Sequence, residues 1–452
     1  MSNQSTLRVA VCGGGIAGLT LACGLSKHAN IQIDIYEAAS QFSGIGAGVG
    51  AWWRAQRVLQ AVGLEEDLAK IGCFFNPTKV PSLRFYKADQ AVMESFGTVE
   101  AQGGFLALHR PDFQSVLLHH IKNKSNCTAQ TSKRLISFTD QANGSTDPIM
   151  LQFQDGTTAE CDVLVGADGI KSVTRALMLE YMARGAREGA EAAKLRDLIA
   201  PQYSGVDTYR TVISTASLRK RSPNNPAFSG PCVFVGKDRT IIAYVLPNGD
   251  LMNVTVVEAR HAEEGAHLPE PWVSESEAGA HEIAAPFKDW DDDARHIVAC
   301  VAEKSVKRWS IHVVKPLPSF VHGRVVLMGD AAHAMQPFLG SGAGQAIEDA
   351  YALSVLLTHP LTHKSNIAHA LEIYSRVRVP ISALIADLSR TAGRRSTLFG
   401  EREMDTDGLR DLGERMVVAF EVSTVADPME DIQKAVEILT KELSPKSNET
   451  AD

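Results

Sequence analysis

Three glycine-containing segments, far apart in the chain, carry patterns that could hold a large anionic cofactor. Gly13-Gly14-Gly15-Ile16-Ala17-Gly18 has the spacing G-x-G-x-x-G directly after a short apolar run and ahead of a helical pattern. In that context Gly13 permits a tight turn, Gly15 lets backbone approach a pyrophosphate, and Gly18 lets helix and strand close up, with Ala17 inside the same turn. The pyrophosphate would rest on amides at the helix start, where unpaired N–H groups and the helix dipole favour an anion. Glu37, 19 residues after Gly18, ends the next apolar run. A carboxylate there can accept hydrogen bonds from an adenosine ribose, which favours FAD or NAD over a 2′-phosphorylated nucleotide. The alternative is a helix-capping glycine cluster and a surface glutamate.

The second segment is Cys161-Asp162-Val163-Leu164-Val165-Gly166-Ala167-Asp168-Gly169, a strand running into a turn, followed by Ser172 and Arg175. The third starts at Gly329-Asp330-Ala331-Ala332-His333, passes Met335-Gln336-Pro337, and reaches Gly340-Ser341-Gly342-Ala343-Gly344-Gln345 and Glu348-Asp349-Ala350. A strand ending in Gly-Asp and a second glycine-rich helix start could bind the other half of an extended cofactor and stabilise a reduced, anionic flavin. A flexible loop at 340–344 is the alternative, and His333 reads as structural.

These residues need a scaffold. Leu7–Cys12 reads as a strand, Ala17–Leu25 as a helix and Ile31–Tyr36 as a strand, a βαβ unit of about thirty residues. No second copy of its glycine fingerprint occurs downstream, so this signature encodes one dinucleotide site. Residues 75–105 and 203–260 alternate as strands do, for example Thr240–Val245 and Met252–Val257, with a turn at Pro247-Asn248-Gly249-Asp250 between them. Glu180–Leu198 reads as one helix with a solvated, charged face. Arg324–Met328 reads as a strand, Gly344–Leu357 as a helix stopped near Pro360, and the chain beyond Ser365 as helical with interruptions.

The expected fold is α/β: a Rossmann-like dinucleotide-binding domain, a FAD-binding domain by the resemblance described below, with an inserted antiparallel-sheet domain, by the same resemblance a substrate domain, and a C-terminal helical region. The expected boundaries are 1–75, 106–200 and 310–360 for the FAD-binding domain, 76–105 and 201–309 for the sheet domain, 361–443 for the helices, and a frayed tail at 444–452.

The 452 residues, 44% hydrophobic, can bury a sizeable core. With 45 basic against 53 acidic residues the net charge is -8, which argues against a nucleic-acid surface, so any anionic ligand must be met by local groups. The start MSNQSTLRVAVCGGG lacks a secretory leader pattern, and no window of about 18 uninterrupted apolar residues follows; a cytoplasmic enzyme without membrane contact is expected. Seven scattered cysteines without ligand spacing fit reduced thiols, not a disulfide framework or a metal site. The sequon Asn143-Gly144-Ser145 then carries no meaning.

The set GGGIAG, VLVGADG and VLMGDAAHAMQPFLGSGAGQAIEDA, in this order and at this spacing, resembles the single-component FAD-dependent aromatic hydroxylases typified by salicylate hydroxylase and 4-hydroxybenzoate hydroxylase, from about residue 7 to about 390. The resemblance implies that Gly13, Gly15, Ala17, Gly18 and Glu37 hold the ADP half of FAD. It places Arg110 near the flavin's phosphate and ribityl region, Asp330 on the ribityl chain, and Pro337 with Gly342, Ala343 and Gly344 beneath the flavin's pyrimidine edge. Asp168 matches a motif associated with FAD and a passing NADH or NADPH. Gly44–Gly50, with Gly48 and Val49, is similar to the family's mobile-flavin loop. The following Ala51-Trp52-Trp53-Arg54 departs from the family pattern, and Trp53 and Arg54 could face flavin or substrate, or Trp53 could be helix packing.

The activity so implied is reduction of FAD by NADH or NADPH, activation of O₂, and hydroxylation of an aromatic ring, with no metal. By resemblance Arg210 and Tyr244 anchor the substrate, although a surface arginine and a packing tyrosine are equally ordinary on strands; His312 could help deprotonate a ring hydroxyl, or be a satisfied core or surface histidine. The expected substrate is a hydroxy- or aminobenzoate that loses CO₂. Hydroxylation of a larger phenolic or polyketide without decarboxylation, a flavin oxidase, and a non-enzymatic flavin-binding redox sensor stay open, as do monomer and homodimer and the choice of nicotinamide.

Overall fold

A computed structural model describes residues 6–42, 48–140, 147–275, 283–304, 306–401 and 405–444. The sequon, residues 44–47 of the glycine run and the tail from 445 lie outside them.

The first sheet has six strands in the order Val321–His322, Val325–Leu327, Val163–Gly166, Leu7–Cys12, Ile31–Tyr36 and Cys127–Gln130, parallel except at the Val321–His322 edge. Leu7–Cys12 lies inside it, buried almost throughout, which is why its sequence is apolar at every position but Arg8. The helix Ile16–Leu25 that follows is apolar on nearly every face because it is covered on nearly every face.

The second sheet has eight strands in the order Val273–Glu275, Lys307–Val313, Gln202–Ser214, Leu251–Ala259, Arg239–Val245, Cys232–Gly236, Lys79–Lys87 and Glu94–Gln102. It is antiparallel except where Cys232–Gly236 meets Lys79–Lys87. Its two faces have different jobs. Met252, Val254 and Val256 join a core with Ala294, Ile297 and Val298 of the helix Asp292–Ala302, whereas Asn253 and Thr255, one step along, face the opposite side. A small antiparallel pair, Gly48–Ala51 with Leu106–His109, bridges the two units. The helices Ile367–Ser396, Thr406–Thr424 and Pro428–Leu443 complete the chain, and the first of them runs through Pro380 without a break.

The stretch expected as one helix at 180–198 is two, Val173–Gly185 and Gly189–Asp197. Continuing through both Gly185 and Gly189 would cost about 1 kcal/mol each relative to alanine. The chain instead extends at Ala186 and folds back, so that Arg196 reaches Glu180 at 2.9 Å. Arg324, expected in the last strand of the first sheet, precedes it and ties down Asp140 and the carbonyl of Asp147.

The glycine turn closes against the neighbouring strand: a Cβ on Gly13 would stand 2.2 Å from the carbonyl oxygen of Ala167, and its φ is +115°. Gly13→Ala is expected to lose about 1–3 kcal/mol from backbone strain alone, and more from that clash. Urea denaturation of the variant checks this; wild-type stability would show that the turn can yield.

Candidate active site

Two helices begin at one place. Gly15 is the N-cap of Ile16–Leu25 and Ser341 that of Gly342–Leu357, and neither start is capped by a side chain. Their first-turn N–H groups are free to meet an anion. The start of each borders a cavity of about 380 Å³ lined by Gly15, Ile16, Ala17, Gly342 and Ala343. A Cβ on Gly15 would meet nothing within 4 Å, and one on Gly342 only Met335 at 3.9 Å. Bare backbone amides facing open space on two helix starts fit the pyrophosphate and the flavin of FAD.

Around them the cavity collects Gly48, Val49, Arg110, Ala167, Gly169, Asp330 and Pro337. Glu37 follows the strand Ile31–Tyr36, its carboxylate accepting from Gly14 N at 2.8 Å and Ala39 N at 2.7 Å and bracing the glycine turn. Gly13 and Gly18 shape that turn from behind; a Cβ on Gly18 would press on the Gly13 carbonyl at 2.2 Å. Gly344 lies one step beyond the lining, with Ala55 beside it. Asp168 points back into its own loop, accepting from Ser172 Oγ and, at 3.0 Å each, from Thr174 N and Oγ1.

Asp330 is exposed at the cavity, and the turn presenting it is held from below. Asp349 accepts from Gly329 N at 2.9 Å, from His333 Nε2 at 2.5 Å and from Arg378 Nε at 2.7 Å. Burial would raise the Asp349 carboxyl, but His333 and Arg378 hold it well below the usual carboxylate range. Arg175, which motif reading noticed but gave no role, ties the two outer loops together. It donates to Ala331 O at 2.9 Å and Ile170 O at 2.6 Å, and burial pulls its guanidinium down to about 10.

The sheet supplies the opposite wall. Arg210 pairs across the strands with Thr255, which pairs with Ile242, and the neighbouring row puts Asn253 opposite Tyr244; all five line the cavity. Asn253 Oδ1 accepts from Gly48 N at 2.8 Å, fastening the sheet to the flavin-side strand. Among the described residues Arg210 has no acidic partner, and its Nε is buried without an acceptor. Burial pushes this guanidinium below its ordinary value and Arg110 pushes further, with Tyr244 and Asp330 opposing; burial pushes the Tyr244 phenol up.

Two expectations are corrected. Arg54 does not face the cavity: its Nε and Nη2 grip Glu348 at 3.0 and 2.8 Å, and Nη2 also meets Asp431 at 2.7 Å, so three helices close over a buried ion pair. The aromatic that reaches the cavity is Trp52, ahead of the helix Trp53–Val62, with its Nε1 donating to Leu339 O at 2.7 Å. His312 lies on the strand Lys307–Val313, which pairs directly with the strand of Arg210, but it stands opposite Tyr203, seven residues along from Arg210, and does not line the cavity. Its ring stacks on Trp272 at 3.8 Å, and burial pushes its pKa down. It packs the sheet, its Nδ1 donating to the carbonyl of Ser310 at 2.9 Å. Asn253, Thr255 and Trp52 went unnoticed in the sequence, although strand alternation already sets Asn253 and Thr255 apart from Met252, Val254 and Val256.

A parallel βαβ sheet whose glycine turn and second helix start share one cavity with a sheet-borne arginine defines a dinucleotide-dependent oxidoreductase with its own substrate chamber. The family described as "FAD binding domain" matches residues 6–195 and 294–389. FAD-dependent monooxygenase str9 of Strobilurus tenacellus is 39% identical over 98% of this chain and 100% of its own length. A salicylate hydroxylase of Pseudomonas putida is 32% identical, over 93% of this chain and 92% of its own. The solved structure titled salicylate hydroxylase substrate complex superposes with a TM-score of 0.77 at 29% identity, covering 95% of this chain and 98% of that one. The chain belongs to this family of FAD-binding flavoprotein aromatic hydroxylases and is a FAD-dependent monooxygenase. Among the described residues no helix is long and apolar enough to cross a membrane, and no cluster of His, Cys, Asp and Glu could hold a metal.

Arg54→Met would leave one face of Glu348 without a cation and Asp431 with only the exposed Lys434 at 3.7 Å. A loss of about 3–5 kcal/mol in urea denaturation is expected, as when one partner of a buried pair is removed. The folded, FAD-loaded fraction should keep its aromatic KM; a raised KM at unchanged stability would return Arg54 to the binding site.

Proposed function

We propose that this enzyme hydroxylates a small hydroxy- or aminobenzoate at the carbon bearing the carboxylate, with release of CO₂, NADH or NADPH as reductant and O₂ as oxidant. The observation that carries the reading is Arg210, an unpaired guanidinium on the wall of a largely apolar cavity beside Tyr244. A half-buried guanidinium with no carboxylate in ion-pair reach is costly, and an anionic ligand relieves it. The salicylate hydroxylase names of the P. putida relative and of the solved structure support the same substrate class.

Gly15, Ala17, Asp330, Gly342 and Ala343 would hold FAD, which when bound passes electrons from the nicotinamide to oxygen and supplies the hydroxylating group. The reductant needs no glycine fingerprint of its own if it visits and leaves, and Gly169 lies at the cavity edge where it would pass.

The protein's own work is to bind and orient the ring. Carboxylate and hydroxyl on adjacent ring carbons present their oxygens along one edge, which the planar fork of Arg210 can grip together. Tyr244, kept protonated by burial, can donate its O–H to the same edge. The titratable residues lining the cavity are Arg110, Arg210, Tyr244 and Asp330, so the proposal has Arg210 stabilise the ring phenolate directly, without a histidine base. Held phenolate pushes electron density to the ring carbon bearing the carboxylate. After oxygen adds there, the carbon–carboxylate bond breaks, its electron pair returns to the ring, and CO₂ leaves. Trp52, Phe105 and Phe420 exclude water and strengthen each charge interaction. Phe105 lies 4.8 Å and Phe420 5.7 Å from Trp52 between ring centres, so the three rings pack as one wall.

Arg210→Ala is expected to keep its flavin but to weaken binding of carboxylated aromatics by about 1–3 kcal/mol, read as KM in coenzyme-oxidation assays over rings with and without a carboxylate. Arg210→Lys should recover part of the loss. Unchanged KM in the alanine variant would remove Arg210 from the substrate.

A further inference from the structure

Behind the active-site wall lies a second cavity of about 310 Å³. We propose that it is a binding site for a small neutral phenol and that it receives the hydroxylated product; the second half of this statement rests on the decarboxylating reaction proposed above.

The two cavities share a wall. Met335 and Gln336 line both. Methionine, unbranched and easily repacked, is a side chain that can yield to a passing ring. The volume is ample, since a cavity of about 150 Å³ already admits benzene. Most of the lining is apolar, including Val314, Leu317, Phe320, Ala334 and Val379.

Its polar atoms are selective. Gln336 is buried; its Nε2 donates to Ser204 O at 3.3 Å, which fixes the amide so that Oε1 is left as an acceptor without a donor. His333 is buried too. Its Nε2 meets Asp349, and its Nδ1 is buried without a partner. A buried acceptor without a partner is uncommon, and a hydroxyl donor would satisfy it. The cations at the rim are spoken for: Arg390 is held by Glu264 at 2.7 and 3.1 Å, and Lys315 by Asp197 at 2.9 Å. Asp387 adds a carboxylate to the lining. The site thus offers the Gln336 acceptor to a hydroxyl and, among the described residues, no free cation to an anion.

The main cavity is the reverse, with an unpaired guanidinium and a phenol donor. Hydroxylation with loss of CO₂ turns an anionic benzoate into a neutral ring with an added hydroxyl. That change releases the ring from Arg210 and matches it to the Gln336 acceptor beside Met335.

The test uses the wild-type FAD holoenzyme with two fluorinated probes followed by ¹⁹F NMR and equilibrium dialysis: 4-fluorobenzoate at saturation, then 4-fluorophenol. The expected result is one equivalent of phenol bound alongside the benzoate, with affinity at least about tenfold weaker in Ala386→Phe and Val379→Phe, which fill the second cavity. Competition of the two probes for a single site, or phenol binding untouched by both fillings, would overturn the proposal. The wild-type stoichiometry decides even if a variant fails to fold. Failure of 4-fluorobenzoate itself to bind would instead count against Arg210 as an anion anchor, so the two readings fail separately.

Discussion

The site exists because two helices can start side by side. Ile16–Leu25 and Gly342–Leu357 lie against each other along a seam of small residues: a Cβ on Gly24 would stand 3.0 Å from Ser354, and one on Gly329 3.0 Å from Ala17 and 3.3 Å from Ala346. Bulk at any of these points would separate the helix starts and pull their uncapped amides away from a common focus. Two positive helix ends facing one cavity repel each other unless an anion sits between them. A dinucleotide supplies one, and the protein is built around its place.

The consequences run outward from that seam. Glu348 and Asp349, one and a half turns into the second helix, are buried and must be answered by cations. Arg378 and Arg54 answer them, arriving from the long C-terminal helix and from the helix after Trp52. The same Asp349 fixes the backbone of Gly329 and so the turn that presents Asp330. On the other side, the eight-stranded sheet gives one face to its own helix-covered core and the other to the cavity, where Arg210 stands in a cross-strand row with Thr255 and Ile242. The cofactor is met by backbone and the ring by side chains, on separate units joined at Gly48 by Asn253.

Much of this was legible in the chain. Leu7–Cys12 and Ile31–Tyr36 have the bounds their composition suggests, the first as a largely apolar run and the second as an alternation of Ile31, Ile33 and Ile35 with Gln32 and Asp34. The glycine turns announce themselves because backbone must come close there. Side-chain partners were harder. Arg54 meets Glu348 and Asp431 across 294 and 377 residues, and no local spacing marks such a pair. Of the two readings open for His312 the packed histidine holds: its strand adjoins that of Arg210, but its register puts it opposite Tyr203, and register across strands does not follow from sequence order. Asn253 and Thr255 could have been found, since polar residues alternating with Met252, Val254 and Val256 mark a second face with a use.

The most direct test follows the carbon that the account says is lost. FAD-loaded protein is given NADH or NADPH, O₂ and salicylate labelled with ¹³C in its carboxyl group. The prediction is ¹³CO₂ in proportion to the coenzyme consumed and an unlabelled catechol as product. A hydroxylated ring that keeps its labelled carboxylate, or coenzyme oxidation that the aromatic does not stimulate, would contradict the account.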